Sequence, residues 1–123
     1  MPEVRFPTVT VLTGWTRTYD PWLTVARGER LTVGRRDDEW PGWVWCDTED
    51  GRPGGWLPER LLQPPDAPEG AFAHAKDIYQ TRELTVRIGD RLEVLTSDQG
   101  WLLCRAADGE IGWVPTRHVT AGG

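Results

Sequence analysis

Basic charge, cysteine and long apolar runs are all scarce in this chain. Its 14 Lys and Arg stand against 19 Asp and Glu, for a formal net charge of −5. No net positive field is therefore available to hold phosphates, and a nucleic-acid partner is not expected. No run of eighteen apolar residues occurs, so no helical membrane span is expected. The opening Met1-Pro2-Glu3-Val4-Arg5-Phe6-Pro7 lacks a basic start followed by an apolar stretch. No secretory signal is visible there, and a cytoplasmic setting is the expectation. Cysteine is limited to Cys46 and Cys104, with no His or second Cys nearby at ligand spacing, a poor basis for a metal site. No pairing of nucleophile with base, no phosphate loop and no metal spacing is present, so the chain reads as non-catalytic and without a cofactor. Lysine is nearly absent: Lys76 stands alone against thirteen arginines, a compositional hint of a high-GC bacterial genome. Sustained helical periodicity is lacking too, and nothing supports a helix longer than one turn.

Tryptophan is what the chain has in plenty, with eight in 123 residues. The chain also repeats itself. Gly28-Glu29-Arg30-Leu31-Thr32-Val33 returns as Gly89-Asp90-Arg91-Leu92-Glu93-Val94, and Gly55-Trp56-Leu57-Pro58 returns as Gly112-Trp113-Val114-Pro115. Between these blocks Trp43 and Cys46 correspond to Trp101 and Cys104. Self-similarity at this period predicts two copies of one small unit. Each copy reads as a series of short strands with alternating apolar positions: Val9-Thr10-Val11-Leu12, Leu23-Thr24-Val25, Leu31-Thr32-Val33 and Trp43-Val44-Trp45-Cys46 in the first. Asp50-Gly51 and Asp108-Gly109 are hairpin signals. Pro58-Glu59-Arg60-Leu61 and Pro115-Thr116-Arg117-His118 each suit a single 3₁₀ turn. The expected organisation is a lead-in over 1–8, a first unit over 9–62, a proline-rich spacer over 63–70, a second unit over 71–120 and a tail over 121–123. Five short strands per unit without helices imply an all-β fold in which each unit is a small closed barrel or an orthogonal sandwich.

The order of these elements resembles the Src homology 3 (SH3) family, twice over. Glu83-Leu84-Thr85-Val86 followed by Gly89-Asp90 and Leu92-x-Val94 is similar to the family's diverging turn and second strand. Trp101 is similar to the head of its third strand, Asp108-Gly109 to its distal hairpin, and Gly112-Trp113-Val114-Pro115 with Val119 to its closing strands. The resemblance covers about 9–62 and 71–120 and implies two SH3-like five-stranded barrels in tandem. It also implies a face of aromatic side chains that binds extended, proline-rich peptides in the polyproline II conformation. Carried across, the face's tryptophan is Trp101 in the second repeat and Trp43 in the first. Its proline is Pro115 and Pro58. The acid that meets a ligand arginine is Glu83 and Asp20. The family's first-strand motif is absent from Ala73-His74-Ala75-Lys76-Asp77, and its closing tyrosine is replaced by His118 and Leu61.

Strand alternation predicts that Trp43 and Trp101 point outward, out of phase with Cys46 and Cys104. The first repeat also carries Trp15, Tyr19 and Trp22 in its long first loop and ends an acidic loop at Trp40, so it is expected to hold the more competent face. Cys46 and Cys104 are expected as small buried hydrophobes in separate cores, too far apart for a disulfide. The function these features imply is a binding module for a protein or peptide, with proline-rich ligands among the candidates. A cell-wall peptide-binding protein and a structural subunit of a homo-oligomer or larger complex are the alternatives. The oligomeric state is left open.

Overall fold

The computed structural model describes residues 5–121, so part of the expected lead-in and tail lies outside the described residues. Twelve strands occur: β1 (Thr8–Val11), β2 (Thr24–Val25), β3 (Arg30–Arg36), β4 (Trp43–Thr48), β5 (Gly55–Pro58), β6 (Leu62–Gln63), β7 (Phe72–Ala75), β8 (Tyr79–Gln80), β9 (Arg91–Asp98), β10 (Trp101–Arg105), β11 (Ile111–Pro115) and β12 (Val119–Ala121). The expected turns at Glu59–Leu61 and Thr116–His118 are each one turn of 3₁₀ helix. Among the described residues there is no α-helix, and no helix is long and apolar enough to cross a membrane. The all-β class stands.

The strands form two five-stranded antiparallel sheets, ordered β11-β10-β9-β1-β12 and β5-β4-β3-β7-β6, with β2 and β8 as a separate pair. Position by position the two orders are the same. The sequence, however, does not run through them as two consecutive units. β1 pairs with β9 and β12 of the second repeat, and β7 pairs with β3 and β6 of the first. The register shows that the two strands hold equivalent places: Val9 lies opposite Leu92 as Ala73 lies opposite Leu31, and Val11 opposite Val119 as Ala75 opposite Leu62. The compact units are accordingly Tyr19–Arg82, and the residues up to Thr18 together with those from Glu83 onward. The expected boundaries of 9–62 and 71–120 are corrected by this exchange of first strands.

Side-chain volume gives a reason for the exchange. In the 19–82 unit the core holds Leu57, Leu61 and Leu62, and the strand added to it brings only Ala73 and Ala75. In the other unit the equivalent positions are Val114, His118 and Val119, and the added strand brings Val9 and Val11. The smaller closing segment takes the larger strand, and the larger closing segment takes the smaller one. Pairing each strand within its own repeat would press two valines against three leucines, at a cost of about 1–3 kcal/mol for overpacking. It would also leave a void beside two alanines in the other core.

The proline-rich stretch is not a free spacer. Gly70 N–H donates to the Val33 carbonyl and Val33 N–H to that of Ala71, at 2.7 and 2.8 Å, and Ala67 joins the core of the 19–82 unit. At the hairpin tips, Gly51 and Gly109 sit at φ +83° and +88°, where a side chain would be strained. Cys46 and Cys104 are free, each fully buried in the core of its own unit. Burial pushes the Cys46 thiol up to about 12, with a smaller push from Asp47, and the Cys104 thiol up to about 11.

Two outcomes are expected. Residues 1–64 and 69–123, expressed separately, each lack the strand that completes their sheet, and both should give the collapsed NMR dispersion of unfolded chains; 19–82, which holds every strand of its sheet, should fold alone. Two well-dispersed halves would refute the exchange. The folded state also holds the thiol protons more tightly than the unfolded state, whose thiols ionise near pH 8.5. The thiol contribution to stability is therefore complete below about pH 8.5 and falls as pH rises towards 11. Urea midpoints at pH 7 and pH 10 should show this loss, and replacing both cysteines by alanine should reduce the difference.

Candidate binding site

In the unit that contains β1, the long first loop is built from two limbs that are far apart in sequence, Thr13–Thr18 and Glu83–Arg87. Trp15 N–H donates to the Val86 carbonyl and Val86 N–H to that of Trp15, at 3.0 and 2.8 Å. The main chain of His118 is fixed by the same limb, since Leu12 and Thr13 N–H both donate to its carbonyl at 2.8 and 3.2 Å. Thr116 N–H donates to the Gly100 carbonyl at 2.9 Å, tying the 3₁₀ turn to the loop that precedes Trp101. Three rings converge as a result. Trp15 meets Trp101 edge to face at 5.4 Å between centroids and 81°, and meets His118 at 5.3 Å and 85°. Such perpendicular packing suits the aromatic quadrupole. All three rings are partly exposed, and Pro115, which is buried, lies opposite Trp101 in the strand register. The His118 Nδ1–H donates to the Gly14 carbonyl at 3.2 Å, since a carbonyl oxygen can only accept.

The carboxylate of Glu83 is buried behind this row, only 9% exposed. Its Oε1 accepts from Trp15 Nε1 at 2.9 Å, from Thr18 N–H at 3.2 Å and from the Thr18 hydroxyl at 2.8 Å. Its main-chain carbonyl accepts from Arg17 Nε at 2.7 Å. The expectation that Glu83 faces a ligand arginine is corrected: its hydrogen bonds are taken up inside the fold.

The 19–82 unit presents a different arrangement. Trp43 is 7% exposed and Pro58 below 2%, so the outward Trp43 expected from alternation is corrected as well. The loops that precede Trp43 and Trp101 also differ. Six residues, Asp37–Gly42, separate β3 from β4, and they fold back: Asp37 N–H donates to the Trp43 carbonyl and Trp43 N–H to the Trp40 carbonyl. Only Gln99 and Gly100 separate β9 from β10. Trp40 lies partly exposed in the six-residue loop, its N–H held by Asp37 Oδ1 at 3.0 Å. Asp20 is exposed in a bend. Tyr19, 40% exposed, accepts from Trp56 Nε1 at 3.1 Å and lies 5.5 Å from Trp45, which meets Trp56 at 5.3 Å. Arg35 stacks on Trp56 at 4.9 Å. Tyr19, Trp45 and Trp56 thus form their own cluster on the outer side of β4 and β5, and Gly34 and Gly54 leave the room that the Trp45 indole occupies.

Sequence reasoning placed Trp15 with Trp43 in the first repeat. The structure places it with Trp101, so the row draws its rings from both repeats. His118, read as a departure from the family pattern, is the third ring; its signal was its place at the family's closing aromatic. Among the described residues no group of three or more His, Cys, Asp and Glu could hold a metal ion.

Burial separates the two tryptophans experimentally. Trp43→Ala should destabilise the protein by about 3 kcal/mol or more, while Trp101→Ala should cost only about 1 kcal/mol. Thermal unfolding of the two variants checks this, and equal losses would contradict it.

No curated protein and no solved structure gives a match to this chain. A model of the SH3 domain family matches residues 79–116, which run from β8 through β11 into the 3₁₀ turn and begin after β7, the strand that serves the other sheet. The SH3-like character of the chain is supported on this segment, and an SH3 domain points to a protein-interaction module.

Proposed function

We propose that the protein is a non-catalytic binding module of two SH3-like barrels with exchanged first strands, and that it takes an extended proline-rich peptide on the row formed by Trp101, Trp15 and His118. The observation that carries this reading is the row itself: three partly exposed rings, consecutively perpendicular, with a buried proline, Pro115, paired opposite Trp101. A proline-rich peptide lies along an aromatic face as a polyproline II helix, three residues and roughly 9 Å to the turn. Such a peptide loses little entropy on binding because its conformation is already set. The counterpart positions in the 19–82 unit, Trp43, Pro58 and Leu61, are all buried, so the second aromatic face expected there is not available in the same form.

Titration of the ¹⁵N-labelled protein with a decaproline peptide tests the reading. The indole resonances of Trp101 and Trp15 should move, and Trp101→Ala should weaken binding by about tenfold or more, as truncation of a central aromatic anchor does. Shifts confined to Tyr19, Trp45 and Trp56, or an unchanged affinity in Trp101→Ala, would overturn it.

A further inference from the structure

Glu83 stands where the resemblance puts the acid that meets a ligand arginine, yet its surroundings give it another task. A buried carboxylate is tolerable only when hydrogen bonds replace its hydration. Here Trp15 Nε1, Thr18 N–H and the Thr18 hydroxyl supply them, the hydroxyl also reaching Oε2 at 2.9 Å. Turning the side chain out to a ligand would break all of these at once and strand the Trp15 indole N–H.

The other unit supplies an independent observation. The strand register equates Thr18 with Arg82, 64 residues on, and the Leu-Thr-Val match equates Glu83 with Trp22. There the Arg82 guanidinium stacks on the Trp22 ring at 4.8 Å. The same two positions are tied in both units, once by a carboxylate and once by a cation over an aromatic face. This pair of positions joins the two limbs of the long loop, whatever chemistry it uses.

No other described acid of the unit replaces Glu83 at the row. Asp98, beside Trp101, is 5% exposed. Asp90 caps Arg87 N–H at 2.9 Å, Asp108 caps Glu110 N–H at 3.0 Å, and Glu93 on β9 pairs with Arg105 at 3.5 Å; these four acids, and Glu110 as the fifth, belong to segments other than those that carry the rings.

We propose that Glu83 is a positioning residue that holds Trp15 between Trp101 and His118, and that the peptide taken by this row is recognised through its prolines without a flanking basic residue. The ligand half rests on the proposed function above; the positioning half does not. The experiment therefore has two arms on the full chain. Without ligand, hydrogen exchange of the Trp15 indole N–H should quicken by about tenfold or more in Glu83→Ala, with shifts at Trp101 and His118, and should stay slow in Glu83→Gln, whose amide carbonyl still accepts. Unchanged exchange in Glu83→Ala, or equal loss in both variants, would overturn the positioning role. With ligand, decaproline and decaproline extended by one arginine should bind the unaltered protein within about threefold of each other. A preference for the arginine peptide of about tenfold or more that vanishes in Glu83→Gln would overturn the ligand half. Failure of both peptides to move Trp101 would overturn the proline-binding reading together with that half, and the first arm would still decide the role of Glu83.

Discussion

The exchange of first strands is the constraint on which the rest of the structure depends. In each five-stranded sheet the place between the long second strand and the closing strand is filled by a first strand from the other repeat, β1 in one and β7 in the other. Once Val9 and Val11 enter the core of Leu84, Leu92 and Val114, Ala73 and Ala75 complete the core of Leu31, Leu57 and Leu62. Units this small have few buried positions, so four side-chain carbons more or less in a strand, two for each Val in place of Ala, are a large part of what decides the pairing.

The aromatic row follows from that exchange. Trp15 comes four residues after β1, so the sheet that receives β1 also receives Trp15, and with it the partner for Trp101 and His118. The limb that carries Trp15 must then be joined to a limb from another part of the chain. Glu83 makes that join through a dense set of charge-assisted hydrogen bonds in a shielded place. The counterpart join uses Arg82 over Trp22, and the tryptophan that could have been the second face, Trp43, is buried. The two units share a strand order but differ in what they leave exposed: the row of Trp101, Trp15 and His118 in one, and the Tyr19, Trp45 and Trp56 cluster in the other.

Glycine spacing, period-2 alternation and hairpin signals are local properties, and from them the sequence by itself determined the all-β class, the places of most strands, the two 3₁₀ turns and the burial of both cysteines. Those features depend on backbone preference and on which face of a strand is apolar, both readable within about ten residues. Only the tertiary structure decided which copy of the sheet each first strand joins, because the two copies offer the same edge pattern and differ in side-chain bulk spread over four segments. The same reason hid the site. Trp43 and Trp101 match in sequence, but Trp43 follows a loop of six residues and is buried, while Trp101 follows one of two and is partly open. Glu83 occupies the position of a ligand-binding acid, but which way a carboxylate turns is settled by the donors around it, and its donors, Trp15 and Thr18, lie more than sixty residues away in the chain.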